Sequence, residues 1–213
     1  MLRATFTLLA LFGLSYAGVA SADNYTETID GDLSGSGAAP TAISLDPGSN
    51  VITATSVAGD LEYYTVNVPS GFQLSPLTLV SYVSLDAVAF AAVQSGTTFT
   101  EPNVGTNVAN LLGWVHFGPG MVGTDILDDI GAGPGAIGFT GPLPAGDYTF
   151  WSQQTGANST TYAFDLQLTA APSVPTLSDG FTVLLCAGLT LILAMGLRRR
   201  EAYQIAQGAR LRD

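Results

Sequence analysis

The chain has 213 residues, a formal net charge of −11 and a single cysteine, Cys186. All six basic residues are arginines at the two ends, Arg3, Arg198, Arg199, Arg200, Arg210 and Arg212, so residues 23–173 hold fourteen acids against no Lys or Arg, a net charge of −14 with His116 neutral. This balance disfavours nucleic acid, whose phosphates need cations, and acidic surfaces unless a divalent ion bridges them, and a lone Cys excludes a disulfide scaffold.

Arg3, the apolar run from Phe6 to Ala17 and the small-x-small site Ala20-Ser21-Ala22 predict a secretory signal peptide over residues 1–22, cut before Asp23. The Sec translocon and signal peptidase are the partners this implies. Residues 23–170 form the expected exported domain, long enough for one core. Its first part, to Asn50, is polar and rich in Gly and Ser, and reads as a loose leading segment with one short strand.

From Asn50 onward, runs of Val, Thr and aromatic residues recur between Gly, Pro, Asn and Asp breaks, the pattern of an all-β chain. The expected strands are 51–57, 61–68, 74–83, 87–94, 111–117, 148–153 and 161–169. Tyr162, Phe164, Leu166 and Leu168 alternate with Thr161, Ala163, Asp165 and Gln167, which predicts one buried and one wet face. Tyr64, Val66 and Val68 repeat the pattern. Residues 87–93 are apolar at successive positions and suit a central strand. The expected fold is a single antiparallel β-sandwich or jelly roll of about eight strands.

Residues 118–146 carry Gly or Pro at almost every third position and read as a long ordered loop, with one or two helical turns at 124–130 capped by Thr124. Residues 171–179 are a Pro-containing linker to an uncharged run at 180–197. At about 1.5 Å per residue that run reaches roughly 27 Å, enough for a transmembrane helix. Arg198, Arg199 and Arg200 then act as a stop-transfer signal that keeps the tail, 198–213, cytoplasmic. The domain is thereby expected outside the cytoplasm, anchored to the membrane by residues 180–197. Cys186 reads as a small apolar residue of that helix.

Val174-Pro175-Thr176-Leu177-Ser178, the span and the three arginines together resemble an exosortase-type sorting signal of the PEP-CTERM class, in the IPTL-CTERM variant named for Ile-Pro-Thr-Leu. Val174 stands in place of the isoleucine, and residues 201–213 extend past the usual end. The resemblance implies cleavage near the motif by an exosortase-like membrane protease and release to the cell surface or the medium. A plain single-pass anchor is the alternative. A second resemblance rests on residues 59–71, Gly-Asp-Leu-Glu-Tyr-Tyr-Thr-Val-Asn-Val-Pro-Ser-Gly, on 143–150, Leu-Pro-Ala-Gly-Asp-Tyr-Thr-Phe, and on the closing strand 162–168. These look like the opening, penultimate and final strands of pre-peptidase C-terminal type β-sandwich domains, which implies a non-catalytic module.

Candidate chemistry is sparse. Residues 118–123 and 133–138 both fit G-x-G-x-x-G, but neither has the long following helix or the cation that a dinucleotide site uses, and turn chemistry explains both. No G-x-S-x-G occurs, and His116 in Trp114-Val115-His116-Phe117 reads as a strand residue. Zinc lacks ligands. Calcium takes carboxylate and carbonyl oxygens, and three acidic groups offer them: Asp30 with Asp32, Asp60 with Glu62 on one side of a strand, and Asp125 with Asp128 and Asp129. None completes a known calcium loop, and a solvated acidic surface is the simpler reading. The sequence favours a non-enzymatic surface or matrix protein. The alternatives are a carbohydrate-binding module, with Trp114, Trp151, Tyr63 and Tyr82 as stacking residues for extracellular polysaccharide, and a secreted glycoside hydrolase acting through paired carboxylates.

Overall fold

A computed structural model describes residues 24–173. The expected signal peptide with Ala20 and Ala22, the sorting motif Val174–Ser178, the span 180–197 and Arg198–Arg200 lie outside the described residues. Among the described residues, no helix is long and apolar enough to cross a membrane.

The chain folds as β1 (Asn24–Thr26), α1 (Glu27–Asp30), β2 (Thr41–Ile43), β3 (Val51–Ser56), β4 (Leu61–Val68), β5 (Phe72–Val83), β6 (Ala89–Ser95), β7 (Gly113–Phe117), α2 (Leu127–Gly131), β8 (Gly146–Gln154) and β9 (Thr160–Ala170). One sheet has the order β1-β3-β9-β5 and the other β2-β4-β8-β6-β7. The longer strands pair antiparallel, as expected. The short strands β1 and β2 join β3 and β4 in parallel, so both sheets are mixed and not purely antiparallel. The leading segment is better organised than its composition predicts. It supplies both of these strands, and Ser34 bridges to Tyr63 on β4.

Period-two patterning sets the core between the sheets. Tyr64, Val66 and Val68 face in from β4, Phe150 from β8, Ala91 and Val93 from β6, and Ile52, Leu79, Phe164 and Leu166 from the facing sheet, all nearly inaccessible. Tyr64 and Phe150, directly opposite each other on β4 and β8, stack with centroids 5.2 Å apart. Strand β5 is interrupted between Leu74 and Leu77, where Pro76 has no N–H to give the ladder.

The outer face of the second sheet is apolar as well. Tyr63, Ala92 and Trp151 point away from the main core and are covered by Phe99 and Leu111 from the connection between β6 and β7. Gln94 fixes that connection: its Nε2 donates to Thr100 Oγ1 and Asn110 O, and its Oε1 accepts from Thr100 N–H.

Residues 118–146 lie along sheet margins. Gly123 N–H donates to Leu79 O, Ile126 N–H to Leu77 O and Leu143 N–H to Leu74 O, so this segment covers the free edge of β5. It is anchored by Ile126, Leu127, Ile130 and Leu143, which are buried. Thr124 does not cap α2 as expected. Its hydroxyl donates to Met121 O, and Ile126 occupies the cap position.

Candidate functional site

The three acidic groups separate clearly. Asp125, Asp128 and Asp129 are all exposed, but two of them organise backbone. Asp125 Oδ1 accepts from Leu77 N–H (3.1 Å) and Leu127 N–H (3.0 Å), and Asp128 Oδ1 accepts from Gly141 N–H (2.8 Å). Asp30 Oδ2 accepts from Thr26 N–H at 2.7 Å, closing the turn of α1.

Asp32 and Glu62, placed in different groups by the sequence, come together with a third acid, Glu27. One carboxylate oxygen from each lies within 4.8 Å of the others. Asp32 is exposed, Glu27 half-buried and Glu62 fully buried, so the trio runs from solvent into the sandwich. Glu27 is held by its neighbours: Thr55 N–H on β3 donates to Oε2 at 2.6 Å and Leu33 N–H to Oε1 at 3.3 Å. Tyr25 braces the loop after α1 by donating its hydroxyl to Gly31 O at 2.8 Å.

Glu62 lies inward because it shares the parity of Tyr64, Val66 and Val68 on β4. Neither of its oxygens receives a hydrogen bond from an N–H or hydroxyl donor; the carboxyl faces only the acids Glu27 and Asp60. Burial, then the negative charges of Glu27 and Asp60, push its carboxyl up to about 10. Glu27 is also raised, by burial first, against the opposing effect of its two backbone donors and of the Glu62 carboxyl beside it. Behind Glu62, the hydroxyls of Tyr64, Ser152 and Tyr162 are fully buried; that of Tyr64 has no partner, and those of Ser152 and Tyr162 have only each other. Burial raises both tyrosines, and for Tyr162 the Ser152 hydrogen bond opposes that rise while Tyr64 and Glu62 add to it.

The aromatic residues expected to stack on sugars divide differently. Tyr63 and Trp151 are 3% and 2% exposed, which removes them as a platform. Tyr82 is half-buried, its hydroxyl donating to Asp86 O, with its ring edge-on to Phe117. Trp114 is half-buried, donates Nε1 to Pro134 O at 3.2 Å, and stacks against Phe90 at 6.0 Å. His116 is exposed and meets both rings edge-on.

The two G-x-G-x-x-G stretches are turns. The first contains a 3-10 turn at Pro119–Met121, and the helix after it, α2, has five residues. In the second, Gly133 packs against the backbone of Trp114, where a side chain would not fit. A shallow groove beside β2 is lined by Ile43, Leu45, Thr65, Asn67 and Asp147, and Asp147 is its one titratable group. Comparison with protein-family models, curated proteins and solved structures finds no match.

Proposed function

We propose that this protein is an exported, non-enzymatic module of the cell surface or extracellular matrix. In this reading a signal peptide over residues 1–22 exports it, and residues 174–200 form a sorting signal cut by an exosortase-like membrane protease. Its role there is structural, with at most weak ligand binding. The observation that carries the reading is the packing of residues 24–173: two sheets close on one core, and Tyr63 and Trp151, two of the candidate sugar-stacking residues, are buried in a second. The domain's acids supply a second support, since most of those with assigned partners hold backbone in place.

Mass spectrometry of the protein released from a host that carries the cognate protease tests the processing. The mature chain is expected to start at Asp23 and to lack residues 180–197. Recovery of membrane-embedded chain ending at Asp213, and of nothing shorter, would leave a plain anchor. Turnover of a polysaccharide, ester or peptide by the purified protein, abolished by replacing His116 or one acid, would replace the structural role with a hydrolase.

One observation favours carbohydrate binding as a second reading. Trp114 and Phe90 present adjoining, partly exposed rings on the outer face of the second sheet, beside exposed His116. Sugar binding of this kind would be lost in Trp114→Ala.

A further inference from the structure

The acids at the N-terminal end of the domain form more than a charged patch. Three elements converge: Glu27 comes from α1, Asp32 from the loop after it, and Glu62 from β4. Clustered acids on a surface relieve their repulsion by turning into solvent. Glu62 is fully buried with no N–H or hydroxyl donor to either oxygen, and one of them stands within 4.8 Å of carboxylate oxygens of Glu27 and Asp32. An ionised carboxylate buried there without a donor or a counter-charge is among the costliest arrangements a fold can hold, so the group must be neutralised by a proton or by a cation. Residues 23–173 contain no Lys or Arg to supply that charge. The Glu27 position is fixed from outside the cluster, by backbone N–H groups of Thr55 and Leu33. A second set of buried polar atoms lies next to Glu62. Tyr64, on the same face of β4, keeps a buried hydroxyl without a partner, while the buried hydroxyls of Ser152, its direct partner across the β4–β8 ladder, and Tyr162, from the facing sheet, have only each other.

We infer that Glu27, Asp32 and Glu62 bind a hard divalent cation of the calcium class, with Glu62 as its inner ligand and Asp32 at its solvent side. The donor set is all oxygen, which suits calcium over softer, nitrogen- or sulfur-seeking metals. Three carboxylates contribute up to six oxygens, and the cation's remaining positions are open to water through exposed Asp32. Waters that bridge the cation to Tyr64, Ser152 and Tyr162 would satisfy the hydroxyls behind it.

The placement gives the cation a mechanical role. Glu27 is tied to β3 in one sheet through Thr55, and Glu62 belongs to β4 in the other. A cation shared by the two clamps both sheets at the end where the chain enters the fold. An extracellular module that uses calcium in this way has a dissociation constant on the order of 0.1–1 mM. It stays empty at cytosolic calcium and fills where the ion is abundant.

The full chain, purified in detergent and freed of metal with a chelator, tests this by titration with calcium chloride against sodium chloride of matched ionic strength. Calcium is expected to bind one ion per chain. At a hundredfold excess over Kd it should raise the melting temperature by about 5 °C or more above the sodium control. Glu62→Gln and Asp32→Asn should each weaken binding at least tenfold, and Asp129→Asn, an exposed acid outside the cluster, should leave it unchanged. Identical melting curves in calcium and sodium would overturn the site. So would a Glu62→Gln protein that responds to calcium like the parent. If Glu62→Gln does not fold, Asp32→Asn carries the test, because Asp32 is exposed and its loss removes a ligand without opening the core. None of these results depends on how the tail is processed.

Discussion

Tyr63 and Trp151 face each other across β4 and β8 with ring centroids 5.8 Å apart and planes 19° from parallel, and Phe99 closes over both at 5.5 Å. This stack lies on the outer face of its sheet, where a wet surface would be usual for an antiparallel pair. The connection between β6 and β7 makes it a second core. Trp151→Ala should therefore act on stability, at a cost of about 3–5 kcal/mol, read by chemical denaturation. Loss of sugar binding with an unchanged denaturation midpoint would contradict the buried placement.

The pH dependence of the metal-free protein follows from Glu62. Its carboxyl lies at about 10 in the folded chain, against an ordinary value of 4.5. Between those values the folded chain holds a proton that the unfolded chain has released. The stability contribution is thus fully present below about pH 4.5 and is lost as pH rises toward about 10. Glu27, Tyr25, Tyr64 and Tyr162 are also raised, by burial first, and act in the same sense, while the charges of Asp60 and Asp32 add to the rise at Glu62. In chelator, the melting temperature is expected to fall from about pH 5 to about pH 9, and Glu62→Gln should flatten that slope. A slope identical in the two proteins would place the titrating group elsewhere.

The strands from β3 onward were legible in the sequence because period-two alternation and turn residues report one-sided burial directly. The same alternation carried a signal that composition obscured. If Tyr64, Val66 and Val68 face inward, Glu62 faces inward too, and an acid at that parity marks a site. Glu27 was not legible. It sits in a polar, Gly-rich segment without periodicity, and parallel pairing of β1 with β3 brings it beside Thr55. Strands of three residues, such as β1 and β2, are too short to show a period at all. The burial of Trp151 and Tyr63 was hidden for a related reason. Both look like wet-face aromatics until residues distant in sequence, Phe99 and Leu111, cover them.

Close backbone contact makes a sharper test of the long Gly- and Pro-rich segment. Gly113 on β7 leaves no room for a β-carbon, which would overlap the carbonyl of Ile130 in α2. Backbone cannot rotate away as a side chain can, so Gly113→Ala should cost about 1–3 kcal/mol. Gly120 has open space around it, and Gly120→Ala should stay within about 0.5 kcal/mol of the parent. Equal melting temperatures for the two variants would mean that the 118–146 segment is not held against β7.

Asn50 offers the clearest separation of shape from hydrogen-bonding chemistry. It is 1% exposed, and its Nδ2 donates to the carbonyls of Asp46 (2.9 Å), Gly48 (3.0 Å) and Leu166 (3.0 Å), while its Oδ1 accepts from Asp46 N–H at 2.8 Å. One side chain thereby closes the turn before β3 and joins it to β9. Asn50→Ala leaves these groups without their partner in a part-buried turn and should cost about 1–3 kcal/mol. Asn50→Asp keeps the shape but directs an oxygen at three carbonyl oxygens. Burial and that repulsion would favour the protonated acid, so the folded state would hold a proton that the unfolded state releases near pH 4. Its destabilisation should therefore deepen as pH rises from about 4 to about 8, whereas the deficit of Asn50→Ala relative to the parent should hardly change. Denaturation midpoints of the three proteins across that range are the measurement. A constant gap between Asn50→Asp and Asn50→Ala would show that the amide's donors do not face the carbonyls assigned to them.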